Sequence, residues 1–145
     1  MKARTLAMGL LSLAMLFATH QAASAQSKDS SCAVVSISIV TGTATVAPGT
    51  TVGIGGGIKN CSSRKARYTL AVSAMSSCGQ KAEIASSRLA FNPDENRIWS
   101  VSYPMPANTC DGTWEASVQV RDSRDNGGLL SGSPLASAST TLTVE

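Results

Sequence analysis

Histidine is almost missing from this 145-residue chain; the one copy is His20, inside a leader that is expected to be removed. Without imidazole there is no Ser-His-Asp triad, no Cys-His pair, no His-based zinc site and no acid/base group poised near neutrality. Charge is scarce as well, at 14% of residues. Lys2 and Arg4 leave with the leader, so twelve basic residues become ten against nine acidic ones, and a net +3 becomes +1. So even a balance gives no electrostatic case for nucleic acid or an anionic membrane as partner. Beyond the leader no stretch has helical periodicity. The glycines Gly53, Gly55, Gly56 and Gly57 are followed by Ile58-Lys59-Asn60, not by the Gly-Lys-Ser/Thr and helix of a phosphate loop. Several Asp and Glu residues exist, but no two share a context that suggests a glycosidase pair.

What is present begins with Met1–Ala25. Lys2 and Arg4 supply a basic start, Leu6–Ala18 an apolar run, and Ala23-Ser24-Ala25 the small-residue pattern of a secretory cleavage site between Ala25 and Gln26. The apolar run is shorter than the ~20 residues a bilayer span needs, and the cleavage point has no Cys, so a lipid anchor is not indicated. The expected organisation is a signal peptide over 1–25 and one exported domain over 26–145, secreted or periplasmic, with no membrane span in the mature chain.

In the domain, Trp114, Ala116, Val118 and Val120 alternate with Thr113, Glu115, Ser117, Gln119 and Arg121, the period of a strand with one dry and one wet face. Similar alternation marks Ala33–Val40, Thr51–Asn60, Arg67–Met75, Arg97–Tyr103 and Ala138–Val144. Thr43–Ala47 continues extended after a kink at Thr41-Gly42. Lys81–Phe91 reads as one or two short edge strands anchored by Ile84, Leu89 and Phe91. Turn residues separate these runs, notably Pro48-Gly49 and Asn92–Asn96. About seven short strands with turns between them predict an all-β, immunoglobulin-like antiparallel sandwich.

Four cysteines, Cys32, Cys61, Cys78 and Cys110, are an even number in an exported chain, with no C-x-x-C spacing for a metal knuckle or a redox motif. They read as two structural disulfides. In an up-and-down Greek key, Cys32 starts the first strand and Cys61 ends the second, at one end of the sandwich. Cys78 follows the third strand and Cys110 precedes the Trp114 strand, at the other end. The ends of strands of eight or nine residues lie roughly 25–30 Å apart, whereas a disulfide tolerates Cα separations of about 7 Å. The predicted pairs are therefore Cys32–Cys61 and Cys78–Cys110.

The pattern resembles the bacterial immunoglobulin-like or fibronectin-III-like modules of exported proteins, including CARDB-type cell-adhesion-related domains. The residues that carry the likeness are the Thr51–Asn60 strand, the Arg67–Met75 strand, Gly112-Thr-Trp-Glu-Ala-Ser-Val-Gln-Val120 and the final Thr140–Val144 strand. Antibody-type domains place a Cys pair across the sheets with a Trp between; here the cysteines lie at strand ends. The resemblance implies a fold and no single activity.

Arg64, Lys65 and Arg67 cluster after Cys61, beside the expected start of the Ser123–Ser137 loop, and form the candidate partner-binding edge, with a solvated turn as the simpler reading. Asp122, Asp125, Asn126 and Gly127 suggest calcium weakly, because Arg124 stands where an oxygen ligand is wanted; a β-turn fits better. Met75 and Met105 are soft ligands without a His to complete a copper site. No metal or cofactor is expected. Trp99, Tyr103 and Trp114 make either core or, if Trp99 or Tyr103 is exposed, a sugar platform. The expected function is noncatalytic: a binding or assembly module that recognises a cell-envelope or extracellular protein through end loops or an edge strand. The alternatives are a secreted inhibitor that inserts the Ser123–Ser137 loop into a protease or other hydrolase, and a carbohydrate-binding module.

Overall fold

Alternation of apolar and polar side chains becomes alternation of buried and more exposed ones in most long strands of the computed structural model, which describes residues 31–123 and 134–145. Residues 52–55 are buried on both faces. The leader with His20, the Ala25/Gln26 cleavage point, and the loop residues Arg124, Asp125, Asn126 and Gly127 lie outside the described residues. The elements are β1 (Ala33–Val35), β2 (Ser38–Ile39), β3 (Thr45–Val46), β4 (Thr51–Asn60), β5 (Ala66–Ser76), β6 (Lys81–Phe91), β7 (Asn96–Pro104), β8 (Gly112–Asp122) and β9 (Ala136–Val144). They form two sheets. In the first, β4 is central, with β1 and β2 along one side and β7 along the other; the second runs β3-β9-β8-β5-β6. Inward residues of both sheets, among them Val52, Ile54, Tyr68, Val72, Trp114, Val118 and Leu142, form one core, as expected of an immunoglobulin-like sandwich.

Nine strands replace the expected seven or so because the first run is divided. Ala33–Val40 breaks between β1 and β2, yet keeps register, with Val35 opposite Ile58 and Ser38 opposite Gly55. At the break Ser36 presses on β4: its Oγ accepts from the Gly57 N–H at 2.9 Å, and a Cβ on Gly56 would collide with the Ser36 carbonyl. The glycine run of β4 therefore serves close backbone approach. Gly42, at φ 80°, then lets the chain cross to the second sheet. There β3 pairs with β9 in parallel, Thr45 opposite Thr143, so the expectation of a wholly antiparallel structure is corrected at this one pair.

Lys81–Phe91 is one continuous edge strand with a bulge. Val72 faces Ala85 and Ser73 faces Glu83, leaving Ile84 as the additional residue. The bulge explains why Ile84 and the pair Leu89/Phe91 are out of phase in sequence but all pack on the core. Both disulfides form as predicted. Cys32–Cys61 spans 5.1 Å between Cα atoms at the end where β1 starts, here called the top. Cys78–Cys110 spans 6.8 Å at the bottom. Each joins segments next to strands of a single sheet, so neither crosses the sandwich.

Candidate functional site

Two places concentrate chemistry, and one is a structural node. Asn60 ends β4 with no exposed surface. Its Nδ2 donates to the carbonyls of Arg64 at 2.7 Å and Asn92 at 2.9 Å. Its Oδ1 accepts from the Ser62 N–H at 3.0 Å and lies 2.7 Å from Ser62 Oγ and 2.8 Å from the Tyr68 hydroxyl. That hydroxyl also lies 2.7 Å from the Cys32 carbonyl. One side chain thus ties the 61–65 loop, the β6–β7 turn and the first disulfide together. The sequence reading passed over Asn60, since an Asn at a strand end looks like any turn residue.

The predicted basic cluster is split. Arg64, Lys65 and Arg67 are all exposed, and Ser123 donates its N–H to the Arg67 carbonyl at 2.9 Å, so the Ser123–Ser137 loop does start beside them. Lys65 and Arg67 line an open cleft of about 560 Å³ with Phe91, Asn92 and Arg97; Arg64 is not on its wall. Arg97 joins from 30 residues further on, a neighbour that no local pattern reveals. Its guanidinium lies 4.7 Å over the Phe91 ring, and its Nε donates to Glu95 Oε1 at 2.6 Å.

Glu95 also accepts from the Asn92 N–H at 2.7 Å. The Arg97 hydrogen bond foremost, then the Asn92 N–H, hold its carboxyl below the usual carboxylate range. A lowered folded-state pKa gives a contribution that is present above the unfolded value and is lost as pH falls through the folded one. Thermal melts of wild type and Glu95→Gln should therefore differ at neutral pH and start to converge only as pH falls below about 4.5, the ordinary carboxyl value. A gap unchanged by acid would contradict this role.

The second place is the flank where β6 and β7, the edges of the two sheets, face each other. β7 pairs with β4 over its whole length, and among the described residues no strand pairs along its other side. A cleft of about 310 Å³ opens there between Leu70, Val72 and Leu89 on one wall and Ile98, Trp99 and Val101 on the other. Ile98 is 91% exposed. The Trp99 indole N–H is buried without an acceptor among the described residues, an uncommon and costly condition for a polar atom. This cleft and the basic one adjoin through Leu89–Phe91 and Arg97–Ile98, which makes a single track with an apolar middle and a cationic end.

Sheet edges are a liability that proteins ordinarily blunt with shortness, charge, bulges or proline. β1 and β2 are short, β3 has two residues, and β6 carries the Ile84 bulge with Lys81, Glu83 and Arg88. β7 has nine residues, one charge already paired with Glu95, and Pro104 only at its last position. It is a long, unblunted edge, a condition it shares among the described strands with β9, whose residues before Thr143 pair on the β8 side only. Of the two, β7 alone adds a large exposed apolar side chain, Ile98. Which alternating strand would be left at an edge was not legible in sequence, so Ile98 was missed.

The aromatic residues give no exposed platform among the described residues. Trp114 is core, its Nε1 bonded to the Cys110 carbonyl at 3.2 Å, and Trp99 and Tyr103 are half-buried against that core. Met105 is buried whereas Met75 is exposed on the outer face of β5. No group of three or more His, Cys, Asp or Glu side chains is placed to hold a metal ion among the described residues. Of the calcium candidates Asp122 alone is described, and its Oδ2 accepts from the Ser31 hydroxyl at 2.7 Å.

No protein-family model matches the chain, and no curated protein does either. Solved structures share the fold. The CARDB domain of a Pyrococcus furiosus protein, solved with two metal ions, superposes at a TM-score of 0.57 and 15% identity, covering 79% of this chain and 89% of that one. A sporulation control protein from Bacillus subtilis matches at 0.52 and 16% identity, over 79% of this chain and 49% of its own. The β-glucosidase of Listeria innocua, solved with laminaribiose, matches at 0.57 and 12% identity, but this chain spans only 16% of its length. The fold is thus an immunoglobulin-like sandwich, shared with a CARDB domain as the sequence pattern suggested. At these identities the likeness concerns architecture alone.

Proposed function

We propose that this chain is a noncatalytic binding or assembly module, secreted or periplasmic, that recognises a cell-envelope or extracellular protein by accepting a strand along β7. The observation that carries the reading is the unpaired nine-residue edge of β7 with Ile98 91% exposed upon it. Such an edge offers main-chain hydrogen bonds for affinity and the adjoining cleft for alternate side chains. The export signal expected over 1–25 and two disulfides, which persist in oxidising compartments, support the location. Among the described residues no helix is long and apolar enough to cross a membrane.

The test is capture from cell-envelope and secretome extracts with oxidised Gln26–Glu145 as bait, run beside Ile98→Lys and Arg64/Lys65/Arg67→Ala versions. A lysine on an edge discourages strand pairing, and a residue so exposed tolerates the change. The expected result is one protein enriched by wild type and lost with Ile98→Lys, while the melt of the bait is unchanged. Loss only with the triple alanine variant would move the site to the top loops. No enriched protein with any bait would count against a protein-binding role and favour a glycan ligand.

A further inference from the structure

Resting on the strand-addition reading, we infer that the β7 edge selects an extended peptide with apolar residues at alternate positions and acidic side chains at its C-terminal end. The apolar middle of the track sets the first requirement. An added strand places every second side chain on one face, and that face would lie over Trp99, Val101 and Leu89. Trp99 lines the cleft, so its indole lies against whatever side chains the incoming strand inserts there.

The cationic end sets the second requirement. Lys65 and Arg67 line the cleft beside the first residues of β7, and neither has an ion-pair partner among the described residues. Arg97, the third cation there, is already matched by Glu95. An antiparallel strand on β7 ends, by its direction, beside Asn96 and Arg97, so its C-terminal side chains meet Lys65 and Arg67. Opposite charges across an interface fix register and reject wrong partners.

A second copy of this chain fits less well. Antiparallel self-pairing of β7 sets the cationic end against Ser102-Tyr103-Pro104, which has no carboxylate and, at Pro104, no N–H to donate.

Three labelled peptides of roughly eight residues provide the probes. All have amidated C-termini: alternating valine and threonine closed by two aspartates, the same closed by two lysines, and a scramble of the first. Fluorescence anisotropy on oxidised Gln26–Glu145 should show the acid-ended peptide binding at least about tenfold more tightly than the lysine-ended one. Lys65→Ala/Arg67→Ala should remove that difference, Ile98→Lys should weaken both, and Trp99 emission should shift on binding. All three positions are exposed, so unchanged circular dichroism melts are expected to accompany these effects. Equal binding of the acid- and lysine-ended peptides, both lost with Ile98→Lys, would overturn the charge selection and leave strand addition standing. Binding of neither, or binding indifferent to Ile98→Lys, would overturn both. A dimer in sedimentation that Ile98→Lys dissolves would give the edge to a second copy and overturn the inference.

Discussion

Asn60→Ala is expected to lower stability by about 3–4 kcal/mol, and therefore Tm by roughly 12–24 °C on the scale of a domain this size. The fully buried amide serves the Arg64 and Asn92 carbonyls and receives the Ser62 N–H. Removing it leaves the Ser62 N–H without its acceptor, at a cost on the order of 1–3 kcal/mol, and opens a cavity. The change also takes one donor each from the two carbonyls, which retain Ser62 Oγ at 3.0 Å and the Glu95 N–H at 3.2 Å. Tyr68→Phe should cost less, about 1 kcal/mol, because Asn60 Oδ1 keeps its Ser62 donors. Asn60→Asp sharpens the prediction. A carboxylate facing two carbonyl oxygens has no proton to donate, so its folded pKa rises, and this variant should gain stability as pH falls. Thermal melts at two pH values check all three. An Asn60→Ala loss below about 1 kcal/mol would mean that solvent already satisfies the node.

Reduction of both disulfides should have an effect at least as large. Cys32–Cys61 and Cys78–Cys110 close loops with sequence separations of 29 and 32 residues, each worth roughly 3–4 kcal/mol in the chain-entropy model. Together they approach the whole net stability of a small domain. The predicted outcome is a fall in Tm of well over about 10 °C, with Cys78→Ala/Cys110→Ala alone giving about half of it. The bottom bridge also holds the segment that feeds Trp114, whose indole donates to the Cys110 carbonyl. Near-equal melts of oxidised and reduced protein would remove the structural role assigned to the cysteines.

The strands whose residues alternate, β5, β8 and β9, were legible in sequence because each has one face on the core. β4 was legible from Val52, Ile54 and Ile58 at even spacing, although Gly53 and Gly55 are buried on the other face too. The disulfide pairing followed from them, since strand direction alone decides which cysteines share an end. What escaped has a common cause: alternation reports faces, not neighbours. β7 and β8 alternate alike, yet β8 lies between β5 and β9 whereas β7 has β4 on one side only. The Ile84 bulge inverts the phase within β6, and the crossing after Gly42 changes sheets without altering the pattern. The loop cations Lys65 and Arg67 were visible as a cluster. Their union with Arg97 depends on the β6–β7 turn folding back beside Asn60, whose N–H donates to the Glu95 carbonyl at 2.9 Å.

Amide hydrogen exchange on the captured complex tests the central claim most directly. Strand addition along β7 predicts slowed exchange at alternate amides of 96–103, those pointing away from β4, relative to the unbound protein, with any change in the 61–65 loop smaller. Protection confined to that loop, with 96–104 unaltered, would contradict it and place the partner on the top end of the sandwich.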